Sequence, residues 1–229
     1  MTDNQNEFIY KMSSYLGKGL ADVNAKVNEL ARLEELEDIV QIPDSPLAHL
    51  NAALMPLIVQ VSDFQDYAET ITGRMELDLQ EVDVHAMMEG VLMMADQLAE
   101  HKGDIEIEED ISENLPTIEG DPTRLSQALM RYIHNAVKFT DKGTVTIRVE
   151  KEADRILFEA HDTGIGIAEE DQEKVFEPFE TILEDKKDPR LGFGLGLKIV
   201  EHIIELHDGE TWFESKAGQG SSFFFTIPT

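Results

Sequence analysis

No cysteine occurs in the chain. That excludes disulfide staples and thiolate chemistry, and a reducing, cytoplasmic setting is the expectation that fits. No run of about eighteen apolar residues is present either, so no membrane span is expected within the sequence. The opening segment, MTDNQNEFIYKM, lacks a basic stretch followed by an apolar one, and no signal peptide is expected. Basic residues are scarce: 19 Lys and Arg stand against 47 Asp and Glu, a formal charge of -28. Such a surface repels phosphate backbones and argues against direct nucleic-acid binding. What remains reads as globular. A chain of 229 residues, 41% apolar and 29% charged, can build a real core in one or two domains.

The apolar residues fall first into two long helical stripes. Phe8, Met12, Leu16, Leu20, Val23, Val27, Leu30, Leu33, Leu36 and Val40 recur at spacings of three and four. This predicts a helix of about 35 residues, roughly 50 Å long at 1.5 Å per residue. Gln41-Ile42-Pro43-Asp44-Ser45-Pro46 breaks it, with Ser45 suited to cap the next helix and Pro46 to its first turn. Leu47, Leu50, Leu54, Leu57, Val61, Phe64, Ala68, Ile71 and Met75 then form a heptad seam, with Pro56 a predicted kink inside it. Two long helices and a short loop make an antiparallel hairpin over residues 1–80. A lone hairpin has a thin core, so pairing of two copies into a four-helix bundle is the expected way to bury both seams. An intramolecular pair packed on the rest of the chain is the alternative.

From residue 81 to 229 the pattern mixes short strands and helices. Met75 to Leu79 alternates briefly. Val84 to Ala99 and Leu195 to Leu206 read as helices, and Asp121-Pro122 starts another, with Asp as cap. Ile105 to Ile107, Val145 to Val149, Ile156 to Ala160, Thr211 to Glu214 and Phe223 to Ile227 read as strands. The expected fold is an α+β sandwich, with helices on one face of a mixed sheet.

Two glycine clusters punctuate this region. In Asp162-Thr163-Gly164-Ile165-Gly166-Ile167, glycines at alternate positions permit a tight turn and a close approach to a ligand. The Asp162 carboxylate is able to accept a hydrogen bond from an exocyclic amine. Gly192-Phe193-Gly194-Leu195-Gly196-Leu197 opens a helix, where backbone N–H groups bind phosphate. No Gly-Lys-Ser/Thr follows, so it is not a P-loop. Between the clusters lie Phe176-Glu177-Pro178-Phe179 and a polar stretch with Lys186, Lys187 and Arg190, which reads as a lid over a nucleotide. Upstream, Asn135 offers an amide oxygen to Mg²⁺, and Lys138 is three residues further along the same helical face.

The order N-A-V-K-F-T at 135–140, D-T-G-I-G-I at 162–167, F-E-P-F at 176–179 and G-F-G-L-G-L at 192–197 resembles the N, G1, F and G2 boxes of sensor histidine kinases. Leu115-Pro116, Gly120 to Leu125 and the turn Gly218 to Phe223 are similar to further marks of that family, and together the matches span about half the chain. The resemblance implies a Bergerat-type ATP-binding fold with ATP and Mg²⁺ as cofactors. It casts Asn135 as Mg²⁺ ligand, Phe139 as stacking partner and Asp162 as adenine reader. Gly192, Gly194 and Gly196, with Leu195, become the phosphate cradle. The implied partners are a second copy through the hairpin, and a response-regulator receiver domain or another histidine kinase.

The hairpin departs from the family. Where the family carries F-x-x-x-M-S-H-E-L-R-T-P-L, this chain reads Phe8-Ile9-Tyr10-Lys11-Met12-Ser13-Ser14-Tyr15-Leu16-Gly17-Lys18-Gly19-Leu20. The phosphoacceptor position is Ser14. Imidazole is a competent nucleophile near neutral pH, whereas a serine hydroxyl needs an adjacent base. Neither histidine nor carboxylate is near Ser14 in sequence, so autophosphorylation in cis is expected to be lost or very weak. In the N box, Arg131 stands where the family holds asparagine or an acid. It is either a solvent-facing residue or a neutraliser of phosphate charge. His49, His85, His101, His134, His161, His202 and His207 all lie outside the phosphoacceptor pattern and read as surface or packing residues. The reading is a degenerate sensor-kinase core; a kinase acting in trans and a scaffold with a vestigial pocket are the rivals.

Overall fold

The chain divides where its apolar period changes. The computed structural model describes residues 3–31, 46–180 and 193–229. It forms two compact units, Met1–Met75 and Glu76–Thr229.

The first unit pairs helix α1 (Asp3–Ala31) with helix α2 (Pro46–Thr72). They run antiparallel. Asn6 Nδ2 donates to Ile71 O at 3.2 Å, and the Arg74 guanidinium lies 4.1 Å from the Tyr10 ring centroid. Gln65 fills the space that a side chain at residue 17 would need, so glycine suits that position. The first helix was expected to reach Val40; Leu33, Leu36, Val40 and the capping Ser45 lie outside the described residues. Helix α2 starts on Pro46 and continues through Pro56. Tyr67, Ala68 and Met75 are buried, but Met12, Leu16, Val23, Leu50 and Leu57 remain 41–49% exposed.

The second unit runs β1 (Gln80–Val82), α3 (Val84–Lys102), β2 (Ile105–Ile111), β3 (Ile118–Gly120), α4 (Pro122–Phe139), β4 (Gly143–Glu152) and β5 (Arg155–Asp162). A short 3₁₀ segment, Glu169–Lys174, precedes α5 (Gly196–Leu206), β6 (Glu210–Lys216) and β7 (Gly220–Pro228). A five-stranded sheet has the order β2-β4-β5-β7-β6. Strand β2 is parallel to β4, and the other neighbours are antiparallel. Val145, Ile147, Val149, Ile156, Phe158, Ala160, Phe223, Phe225 and Ile227 are buried on one face of it, alternating along each strand. Helices α3, α4 and α5 cover that face with Met88, Leu129, Ile133, Ile199 and Ile203. The Phe158 and Phe225 rings stack at 4.6 Å between centroids. This is an α/β sandwich of one sheet and one helical layer.

Strands β1, β2 and β3 differ from the expectation. Strand β2 runs to Ile111 rather than stopping at Ile107, because its acidic second half is matched on β4. Arg148 faces Asp110 in register and binds it at 2.8 Å. The alternation at Met75 to Leu79 is not a strand; the pairing begins at Gln80, where Val82 meets Ile118 of β3. Among the described residues, no helix is long and apolar enough to cross a membrane.

Candidate functional site

Asp162 is the last residue of β5, between Val145 of β4 and Ser221 of β7. Strand propensity carries β5 to this point, and the glycine-rich sequence beyond it ends the ladder. Its side chain is buried, and Oδ1 accepts from Gly164 N–H at 2.8 Å. Burial pushes the carboxyl pKa up, while N–H bonds from Gly164 and Ser221 and the nearby His161 pull it down. A carboxylate held this way has a fixed direction and unused acceptor capacity.

The loop after Asp162 is clamped from two sides. Phe139 O, at the end of α4, accepts from Ile165 N–H at 3.3 Å. On the other side, Ile165 O accepts from Gly218 N–H at 2.7 Å, and Ile167 N–H donates to Ser215 Oγ at 2.8 Å. These contacts explain the glycines differently from the sequence. A side chain at Gly164 would strike Phe139 O, one at Gly166 would strike Lys216 O, and one at Gly220 would strike Asp162 O. The close approach is made by the protein's own backbone. Gly166 also has φ of +63°, in the left-handed region.

The second glycine cluster starts α5. Gly194 has φ of +65°, packs against Glu180 O, and accepts from Phe179 N–H at 3.1 Å. That bond ties the F-box sequence to the helix start. Leu195 is buried, so only its backbone is available to a ligand. It makes no side-chain cap, and Gly196 faces open space, with Arg131 Nη1 the nearest atom at 3.8 Å from where a Cβ would stand. The N–H groups of a helix start suit an anion.

Helix α4 supplies the third wall. Arg131, Asn135 and Lys138 are half-buried and fall at i, i+4 and i+7 along one flank. Lys138 Nζ lies 5.0 Å from the Phe139 ring centroid. Both ends of α4 are pinned: Asp121 caps the start as the sequence predicts, and His207 and Lys102 add contacts that the sequence reading left without this role. At the start, Asp121 Oδ1 caps Thr123 and Arg124 N–H at 3.0 and 3.1 Å, and Oδ2 accepts from Asp78 N–H at 3.0 Å. Asp121 N–H donates to the buried His207 Nε2 at 3.0 Å, and His207 Nδ1 bonds Ile203 O of α5 at 2.7 Å. At the end, Lys102 Nζ donates to Val137 O and Lys138 O at 2.6 and 3.0 Å, a cation at a helix C-terminus. The Asp121-Pro122 pair was the one signal of this in the sequence.

The structure thus brings Asn135, Lys138, Phe139, Asp162, Gly164, Gly166, Gly194, Leu195 and Gly196 together in one unit, with Arg131 beside Gly196. Lys186, Lys187, Arg190 and Gly192 lie outside the described residues. Ser14 is half-buried on α1, in the other unit. His134 is exposed, and His161 Nδ1 bonds Ser222 Oγ at 2.9 Å.

Comparison with known proteins agrees with the α/β sandwich fold of this unit. The family model for histidine kinase-, DNA gyrase B- and HSP90-like ATPases matches residues 120–229. The circadian input-output histidine kinase CikA of Synechococcus elongatus is 34% identical over 175 residues, covering 75% of this chain and 23% of that protein. The chain therefore spans about a quarter of that relative's length. Among solved structures, full-length ShkA in complex with AMPPNP has a TM-score of 0.76 and 29% identity, covering 97% of this chain and 45% of that one. The catalytic domain of the histidine kinase ThkA has a TM-score of 0.56 and 27% identity, covering 67% and 96%. The C-terminal unit of this chain is a histidine-kinase-type ATPase core.

Proposed function

We propose that this core binds Mg-ATP and signals by conformation and partner binding, without phosphorylating its own hairpin. What supports the proposal is a split: the segment 135–140 meets the 162–167 loop where Ile165 N–H bonds Phe139 O, while the hairpin reads Ser14 where the family pattern carries histidine. Asp162 reads the adenine amine, Phe139 stacks, and the amides at Gly194 to Gly196 receive phosphate.

The donor set fits a magnesium ion that arrives with its nucleotide. Among the described residues no cluster of three acidic or histidine side chains forms a cage. Mg²⁺ commonly keeps waters and substrate phosphates as ligands, so one amide oxygen from Asn135 suffices to add a protein ligand. When bound, the ion neutralises phosphate charge. The exposed seam of Met12, Leu16, Val23, Leu50 and Leu57 supports a four-helix bundle made by two copies. A receiver domain or a second histidine kinase is then the output partner, and the cytoplasm the setting.

Calorimetry with ATP and Mg²⁺, followed by radiolabelled ATP on the same sample, tests this. Micromolar binding without label on the chain is expected. Label appearing on the chain alone would overturn the loss of cis phosphorylation, and no binding heat would favour a vestigial pocket. Label passing to a histidine on an added partner would favour a kinase acting in trans.

A further inference from the structure

The structure assigns His207 as a positioning residue for the nucleotide site: its neutral imidazole holds α4 and α5 in register, and its protonation releases them. The inference rests on the Mg-ATP reading above. His207 is buried at the end of α5, and both of its ring nitrogens are taken by backbone groups. Nδ1 lies 2.7 Å from Ile203 O, and a carbonyl only accepts, so Nδ1 carries the proton. Asp121 N–H reaches Nε2 at 3.0 Å, and an amide N–H only donates, so Nε2 presents its lone pair. The fold therefore selects one neutral tautomer. A proton on Nε2 sets N–H against N–H and breaks the bond to Asp121. The ring also lies against the Gly120 backbone, where a Cβ would meet His207 Cδ2 at 3.2 Å and Leu125 Cδ1 at 2.9 Å.

That bond joins the two helices that wall the site. Asp121 starts α4 and His207 ends α5, while Gly196, at the start of α5, lies beside Arg131 in the second half of α4. The helices are thus antiparallel and tied at one end by the imidazole. Asn135 and the Gly194 to Gly196 amides belong to the other end, about 20 Å away at 1.5 Å per residue. Leu125, Leu129, Tyr132 and Ile133 of α4 and Ile199 and Ile203 of α5 are fully buried, so each helix shifts as a body. A slip where the tie is broken changes the spacing between Asn135 and the amides. The Asp121 carboxylate is committed to the N–H groups of Asp78, Thr123 and Arg124. The other charged groups on the segments around the ring are Asp78 before β1, Glu119 on β3, Arg124 on α4, Glu205 and Asp208 beside His207, and Glu210 on β6. Among the described residues, none of their side chains bonds a ring nitrogen.

The test is the affinity of the whole chain for ATP in excess Mg²⁺, measured by calorimetry from about pH 8 to about pH 5, the range in which imidazoles take up a proton. Wild-type affinity is expected to fall on acidification by at least about fivefold, the worth of one neutral hydrogen bond. His207→Gln offers an amide oxygen near the Nε2 position to Asp121 N–H and does not titrate. It is expected to match the wild type at about pH 8 and to keep at least about fivefold more of its affinity at about pH 5. Protonation of Asp162 is common to both chains and cancels in the comparison. His207→Asn places its amide near Nδ1 instead, leaves Asp121 N–H unpaired, and is expected to bind at least about fivefold more weakly at every pH. Melting without nucleotide checks that each variant folds. Nitrogen-15 spectra of the wild-type histidines need no variant: His207 protonated on Nδ1 alone is expected at about pH 8, and the other tautomer overturns the inference. Equal falls in affinity for wild type and His207→Gln overturn it and leave the Mg-ATP reading standing, as does wild-type affinity for His207→Asn at every pH. No ATP binding by the wild type at any pH overturns the Mg-ATP reading and this inference together.

Discussion

The two units use apolar residues differently. In the C-terminal unit, Ile147, Phe158, Ile199, Ile203 and Phe225 are fully buried, closed in by a sheet and a helical layer of the same chain. In the hairpin, Leu50 and Leu57 of the heptad seam and Met12 and Leu16 of the first stripe are exposed. A sheet with helices on one face completes its own core. Two helices have one shared face and leave the remainder of each stripe uncovered. The C-terminal unit completes its own core, while the hairpin leaves several apolar side chains uncovered.

The sharpest way to break that contrast is to remove a large side chain from each side. Ile147→Ala should cost about 2–5 kcal/mol of stability, read as a lower thermal midpoint. Leu57→Ala should leave the midpoint of the C-terminal unit in place. A hairpin change that melted the ATPase unit would show the two are not energetically separate.

Asp162→Asn comes next, read on binding. Loss of a charged acceptor from the site should weaken ATP by about 1.5–3 kcal/mol in calorimetry. Its effect on folding has the opposite sign. The raised pKa means that the folded state holds the proton more tightly than the unfolded chain. Wild-type stability should therefore fall as pH rises from about 4, the ordinary carboxylate value, through the raised one. The amide does not titrate, so the substitution should abolish that part of the slope, and unfolding curves at several pH values check it. A variant less stable at neutral pH would contradict the assignment of burial as the main cause.

Asp121→Ala should cost about 0.5–2 kcal/mol, the range for a lost helix cap, with weaker nucleotide binding because α4 carries Asn135. Chemical denaturation and calorimetry on one sample measure both. The smallest effect is expected at the seam: Leu16→Gln should barely change the stability of the C-terminal unit but shift the chain from dimer to monomer in light scattering. A wild-type monomer at every concentration would remove the dimer from the proposal.

How much of this was legible depended on the range of the interaction. The Asp121-Pro122 start of α4 and the alternation in Val145 to Val149 are local signals, and the structure keeps both. Strands β1 and β3 were missed because three residues carry no measurable period, and their pairing supplies what propensity does not. The acidic end of β2 was missed for a related reason. Glu108 to Asp110 lack apolar alternation, and their place in the strand shows only in the ladder to β4, where Arg148 lies across from Asp110.

By itself, the sequence determined the order of the boxes and the two apolar periods. These are properties of residues a few positions apart, where helix and strand geometry alone sets who meets whom. Only the tertiary structure decided why the glycines are glycines. Gly220 yields to Asp162 O across the neighbouring strands β7 and β5, and Gly166, in the loop after β5, yields to Lys216 O at the end of β6, all distant along the chain. It also decided which wall Arg131 belongs to. A side chain at the flank of one helix gains its meaning from the helix start packed beside it, and that packing is fixed by burial of the whole sheet face.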